Sequence, residues 1–315
     1  METRKIGSLE VSVVALGCNN FGGGFEQDLV DEVVHAALDA GITYFDTAEG
    51  YGKGKSEEVV GIALKGHREG VTVATKYDGR PEDARAHAEA SLLRLGVDCI
   101  DLFTLHHAVP DVPIAETLGA LSELADAGLI REFGCSNVGV AQLEKAAAAV
   151  GDGRRGFVSV QNDYNLLNRK MELTVLPYCA STGLAFTAYF PIYHGFLTGD
   201  FHRASDLKPG TRLANAHPLR QEAVFTDEHF DVLEGLLGFA EARGRTVLDV
   251  ALARLLAEPG LAAVLPGAAS AQHVRSNAHA ATMQLNAEEI AEIDRIAPTV
   301  ADCPDTPSSE NGYPV

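Results

Sequence analysis

No apolar run in the 315 residues approaches the roughly 20 needed to cross a bilayer, so no membrane span is expected. Cysteines are few: Cys18, Cys99, Cys135, Cys179 and Cys303 are odd in number, widely spaced and form no C-x-x-C pair. That pattern suggests neither a disulfide framework nor a zinc site, and the five read as reduced thiols, most of them packed in the interior. Positive charge is scarce as well. With 25 Lys and Arg against 44 Asp and Glu the net charge is −19, which argues against sequence-independent nucleic-acid binding, because that depends on basic groups neutralising phosphates. The opening METRKIGSLEVS lacks the apolar core of a signal peptide, and the expected location is cytoplasmic. No linker or low-complexity stretch divides the chain, so one domain over residues 1–315 is expected.

What is present is a regular alternation. Short β-branched and apolar runs occur at 13–17, 42–46, 71–76, 100–106, 129–134, 157–161, 184–189 and 261–266. Amphipathic stretches such as DLVDEVVHAALDA and IAETLGALSELADA separate them, several closed by a glycine. Strict alternation implies parallel strands with right-handed crossovers, and eight units is the number that closes a (β/α)8 TIM barrel. A doubly wound open sheet is the alternative. TRKIGSLEVS reads as a β-hairpin turning at Gly7-Ser8 that plugs the barrel bottom. Residues 190–226 form one long polar loop after the seventh strand, and 298–315 an irregular C-terminal tail.

Polar residues recur at the ends of these strands. Asp46, Lys76, His106 and Ser136 are each 30 residues apart, about one βα unit, and Asn137, Gln161 and Tyr189 follow at the next strand ends. Taken singly, each is an ordinary strand-terminating residue. In register, they should stand side by side on the C-terminal rim, where barrel enzymes carry their chemistry.

The glycine-rich EGYGKGKSEE at 49–58 fails both phosphate-loop patterns: G-x-x-x-x-G-K-[ST] is missed by one position, and G-x-G-x-x-G meets Glu57. Ser56, Glu57 and Glu58 read instead as the start of a helix, and Lys53 and Lys55 as solvated loop charges. That leaves Tyr51 near Asp46 and Lys76. A tyrosine is a poor proton donor at neutral pH unless a cation stabilises its phenolate; Lys76 can supply that charge, Asp46 can orient Lys76, and His106 can hydrogen-bond a reacting oxygen. His107 beside His106 does not suggest a metal pair, since neighbouring strand residues face opposite ways if the strand runs that far and no third ligand stands at a familiar spacing.

The segments GITYFDTAEGYGKGKSEEVVGIAL, VATK, SLLRLGVDCIDLFTLH, GLIREFGCSNV, QNDYNLLNR, YFPIYHGFLTG and VLPGAASAQHVRSNAHA together resemble the aldo-keto reductase superfamily over nearly the whole chain, most closely its small bacterial, actinobacterial-type members. The resemblance implies a barrel that binds NADP(H) or NAD(H) and moves a hydride to or from an aldehyde, ketone or sugar carbonyl. It implies a catalytic tetrad of Asp46, Tyr51, Lys76 and His106. Ser136, Asn137 and Gln161 would hold the nicotinamide carboxamide, and Tyr189 would stack on its ring. Pro191, Ile192, Gly195, Leu197 and Arg212 would meet the pyrophosphate, and Gly267, His273 and Asn277 the adenosine.

Departures from the family pattern lie at Asp200, Ser276 and His273, which leave fewer fixed charges for a 2′-phosphate, and at Phe190, where many members have Ser. With Arg212 and Arg275 still present, NADP(H) is favoured narrowly over NAD(H). The alternatives are an NAD-dependent sugar or alcohol dehydrogenase and a cofactor-binding regulatory subunit of the channel β-subunit type. A monomer or weak homo-oligomer acting on a small carbonyl or alcohol is expected. Tyr193, His194, Phe21 and Phe25 are candidates for an aromatic pocket or for packing.

Overall fold

The structure, a computed structural model, describes residues 1–151, 155–201, 207, 209, 211 and 213–301. An antiparallel hairpin, β1 (Thr3–Ile6) and β2 (Leu9–Ser12), precedes eight parallel strands: β3 (Leu16–Gly17), β4 (Tyr44–Asp46), β5 (Thr72–Tyr77), β6 (Ile100–Leu105), β7 (Ile130–Ser136), β8 (Ser159–Asp163), β9 (Ala185–Tyr189) and β10 (Leu261–Leu265). They pair in chain order, and the first and last are joined by parallel bridges Val14 to Val264 and Gly17 to Gly267. The expected (β/α)8 barrel is therefore the fold. All eight expected strand positions carry strands, and every residue of β5 and β6 is buried, as strands covered on both faces require.

Helices α1 (Gln27–Asp39), α2 (Lys55–Ala63), α3 (Ala84–Leu95), α4 (Ile114–Asp126), α5 (Val140–Ala148) and α6 (Val175–Thr182) alternate with the strands. Helices α7 (Pro218–Val224), α8 (Asp227–Glu241) and α9 (Val247–Leu256) lie between β9 and β10, and α10 (Ala271–Ala280) and α11 (Ala287–Ile296) follow β10. Helix α1 buries Val30, Val33, Val34 and Ala37, one stripe at helical spacing. The long connection after β9 holds a short 3-10 turn, Tyr193–Thr198, and α7.

The hairpin closes the N-terminal end of the barrel. Ile6, Leu9 and Val11 pack with Tyr44, Ala74, Leu102 and Ala263 in a cluster separate from the main core. Gly7 has φ +58°, and a Cβ there would stand 2.8 Å from Val158, so the turn needs glycine twice over. Arg4 donates to the carbonyls of Leu261 and Leu256, fastening the hairpin to the rim. Cys18, Cys99, Cys135 and Cys179 are free thiols; burial pushes the Cys179 thiol up to about 12, which keeps it protonated and unreactive. No described helix is long and apolar enough to cross a membrane.

Two buried tyrosines differ in their hydroxyls. Tyr164 donates to Glu172 Oε1 at 2.6 Å, whereas the Tyr44 hydroxyl has no hydrogen-bond partner among the described residues. We predict that Tyr164→Phe lowers stability by about 2 kcal/mol and Tyr44→Phe raises it by about 1 kcal/mol in urea titrations. An equal loss in both variants would show that the Tyr44 hydroxyl is hydrogen-bonded in solution.

Candidate active site

The strand tips build the site. Asp46 ends β4 and Lys76 lies one residue before the end of β5. Both are buried, and Lys76 Nζ donates to Asp46 Oδ2 at 2.6 Å and to the Thr47 carbonyl at 2.8 Å. The second Asp46 oxygen accepts from Gln161 Nε2 at 3.0 Å, from a strand across the barrel. The ammonium lies 5.2 Å from the centroid of the Tyr51 ring, within cation–π reach.

The Tyr51 loop is fixed at both ends. Glu49 N–H donates to the Lys76 carbonyl, and the Glu49 carboxylate accepts from Asp78 N–H at 3.0 Å and pairs with His87 Nδ1 at 2.8 Å. Beyond Tyr51 the chain turns through Gly52, Lys53 and Gly54, all at positive φ. At Gly54 a Cβ would come within 2.7 Å of Arg94, so no other residue fits without displacing that side chain. Helix α2 begins at Lys55, one residue before the expected start, and Ser56 and Glu57 are buried. Ser56 Oγ donates to the Cys18 carbonyl, while Glu57 accepts from Thr75 and from Arg94. Glu57 is thus a buried anchor of the loop, more than a charge placed for the helix dipole. Lys55 is exposed and pairs with Glu58, and Lys53 is exposed, as expected of loop charges.

His106 follows the last residue of β6 and its ring meets Tyr51 edge-on, 6.0 Å between centroids. The strand stops at Leu105, so alternation does not separate His106 from His107. Both line the same cavity, and both bond Asp78 through Nδ1, at 3.1 Å and 2.7 Å. The expectation that at most one of the two faces the mouth is corrected by that early strand end. Burial works against ionisation of Asp78, yet the hydrogen bonds from His106 and His107 hold its carboxyl well below the usual carboxylate range. The donor atoms of Asp78, His106 and His107 lie within 4.8 Å of one another, close enough to hold a metal ion. Asp78 is a third group that spacing alone did not reveal, because it stands two residues past Lys76, just beyond the end of β5.

A cavity of about 1340 Å³ runs from these residues to α10. Asp46, Tyr51, His106, Ser136, Gln161, Tyr189, Pro191, Ile192, Gly195, Gly267, His273 and Asn277 line it. Lys76 lies beneath its wall. Asn137, at φ +59°, does not line it but donates to the His106 carbonyl at 3.0 Å and accepts from Tyr189 OH at 2.7 Å, joining three strand tips. Leu197 does not line the cavity: its side chain is fully buried in the core, turned inward by the 3-10 turn that follows Ile192 and contains Gly195. Arg212 falls outside the described residues. Phe190, Tyr193 and His194 all have positive φ in a turn with few glycines, a strain that residue types do not announce. Of the aromatic candidates, His194 lines the cavity, whereas Tyr193 and Phe21 belong to the core with Phe25 packed against it.

The family model described as "Aldo/keto reductase family" matches residues 13–298. The chain belongs to the aldo-keto reductases. "Aldo-keto reductase YhdN" of Bacillus subtilis is 34% identical over 306 residues, 91% of this chain and 90% of that protein. Among solved structures, a glycerol dehydrogenase from Gluconobacter oxydans shares 29% identity at TM-score 0.82, covering 97% of this chain and 98% of its own. An aldo-keto reductase from Klebsiella pneumoniae solved with NADPH shares 29% at TM-score 0.77, covering 98% of this chain and all of that one.

In this reductase a second cavity, about 790 Å³, lies at the other end of the barrel beside the hairpin. Among its charged walls, Arg68 and Arg131 both pair with Asp101, at 2.7 Å and 3.4 Å. Removing one partner of a buried ion pair strands the other charge. We predict that Asp46→Ala lowers stability by about 3 kcal/mol, and that Asp46→Ala with Lys76→Met lowers it by clearly less than the two single changes added. Additive losses in denaturant titrations would mean that the pair does not act as a unit.

Proposed function

We propose that this aldo-keto reductase moves a hydride between NADP(H) and a small carbonyl compound, with Tyr51 as the general acid in reduction and general base in oxidation. The observation that carries the reading is the buried Lys76 ammonium, held by Asp46 and the Thr47 carbonyl and lying 5.2 Å from the Tyr51 ring at the cavity floor. A cation so placed stabilises a phenolate, which makes the phenol a usable acid near neutral pH.

The cavity walls suit an extended dinucleotide. The polar strand tips Ser136 and Gln161 fit a carboxamide, the Tyr189 ring a flat heterocycle, and Gly267 with Asn277 and His273 an adenosine. Arg275 and His273 add basic groups at the α10 end of a protein whose net charge is −19, which supports the phosphorylated cofactor over NAD(H). When bound, the cofactor supplies or accepts the hydride. The protein's part is orientation and proton handling: Gln161 and Lys76 fix Asp46, His106 meets the carbonyl oxygen, and Tyr51 delivers its proton there.

Tyr51→Phe is expected to lower carbonyl reduction by at least about 100-fold while NADPH binding persists. Turnover at the wild-type rate in that variant would remove Tyr51 from the mechanism. Arg275→Ala is expected to weaken NADPH about tenfold by calorimetric titration and leave NADH unchanged. Equal wild-type affinity for the two cofactors would favour the NAD-dependent alcohol dehydrogenase reading instead.

A further inference from the structure

Tyr51 stands in the chain between two carboxylates, Glu49 before it and Glu57 after it. Each is bonded to the β5 segment on a different side of Lys76. Glu57 Oε1 accepts from Thr75 Oγ1 at 2.5 Å, just before the lysine, and Glu49 Oε1 accepts from Asp78 N–H at 3.0 Å, just after it. The Glu49 N–H also donates to the Lys76 carbonyl. Both ends of the tyrosine loop are therefore tied to the strand that carries the ammonium. Between them the backbone turns through Gly52, Lys53 and Gly54 at positive φ, a conformation that Lys53 keeps only where its surroundings impose it.

One guanidinium on α3 meets both carboxylates. Arg94 Nε donates to Glu57 Oε2 at 2.5 Å, and its Nη2 lies 3.9 Å from Glu49 Oε2. The same Nη2 donates to Ser91 Oγ at 3.2 Å, which steadies the side chain on its own helix. The Arg94 stem passes against Gly54, where a Cβ would stand 2.7 Å from Arg94 Cδ. Helix α3 comes this near to α2 because Gly61 has no side chain: a Cβ there would meet the Leu95 carbonyl oxygen at 2.5 Å. Glu57 is fully buried and needs a matching cation, whereas Glu49 also has His87. A rigid fork of donors can face two carboxylates at once in a way that a lysine ammonium on its flexible stem does not.

We propose that Arg94 is a positioning residue for carbonyl reduction: by bracing Glu49 and Glu57 together it fixes where the Tyr51 phenol stands relative to Lys76 and the reacting oxygen. This rests on the reading of Tyr51 as the acid. Arg94, Glu49 and Glu57 do not line the large cavity, so the brace acts from behind the loop and leaves the cofactor walls alone. Without it the carboxylates keep their separate bonds to Thr75 and Asp78, but nothing joins the two ends of the loop through α3. A reacting group misplaced by about 1 Å can cost on the order of 100-fold in rate.

The test is a double-mutant cycle with Tyr51. Arg94→Met keeps an unbranched apolar stem and removes the fork. It should lower kcat for carbonyl reduction about tenfold, with NADPH affinity by calorimetry within about twofold of the wild-type value. In a Tyr51→Phe background the same change should alter the residual rate by less than about twofold, because no phenol remains to be aimed. Equal losses in the two backgrounds would reveal a general structural effect and overturn the proposal, as would a wild-type kcat in folded Arg94→Met. If the unmatched Glu57 unfolds the single variant, Arg94→Met combined with Glu57→Gln strands no charge and should show the same loss and the same dependence on Tyr51. Wild-type turnover in Tyr51→Phe alone would instead remove the reading of Tyr51 as the acid, and the brace with it.

Discussion

The Asp46 to Lys76 ion pair is the constraint on which the rest of the site depends. A lysine ammonium with almost no exposure is costly unless its charge is matched and its hydrogens are used. Asp46 and the Thr47 carbonyl do both. The same pair ties adjacent strands at their tips, and Gln161 extends it across the barrel mouth to a third. A charge held this firmly cannot drift toward solvent, so the Tyr51 ring lies against a fixed field.

Around that pair the backbone is bent to reach the site. Tyr51 is carried over the mouth by a turn in which Gly52, Lys53 and Gly54 are left-handed, and the far wall is shaped by Phe190, Tyr193 and His194 in the same region of backbone space. Left-handed bulky residues cost about 1 to 3 kcal/mol each and persist only where the surroundings hold them. Buried packing does so here: Tyr193 meets Phe196 and His229 edge-on, and Phe196 stacks on Phe201. This aromatic cluster packs behind the cavity wall.

Much of the fold was legible because barrel geometry repeats with the chain. Each βα unit returns to the rim after about the same number of residues, so Asp46, Lys76, His106 and Ser136, spaced by 30, share one rim. Asp78 escaped that reading because it stands off the register, just past its strand, and its importance lies in two histidines on the neighbouring strand's exit. Glu57 read as an ordinary first-turn acid, and only the approach of α3 brings Arg94 to it. The family resemblance put Leu197 on the wall, but the irregular 3-10 turn that carries it buries its side chain in the core.

The sequence by itself determined the number of βα units, the hairpin, the acidic surface and which polar residues stand at strand ends, because hydrophobic periodicity and turn chemistry act over a few residues. Tertiary structure alone decided that His106 and His107 share one carboxylate, that Gln161 reaches Asp46 from 115 residues away, and that Leu197 turns inward. Those outcomes depend on where strands stop and how tightly helices approach, quantities set by packing across the whole barrel and by no local pattern.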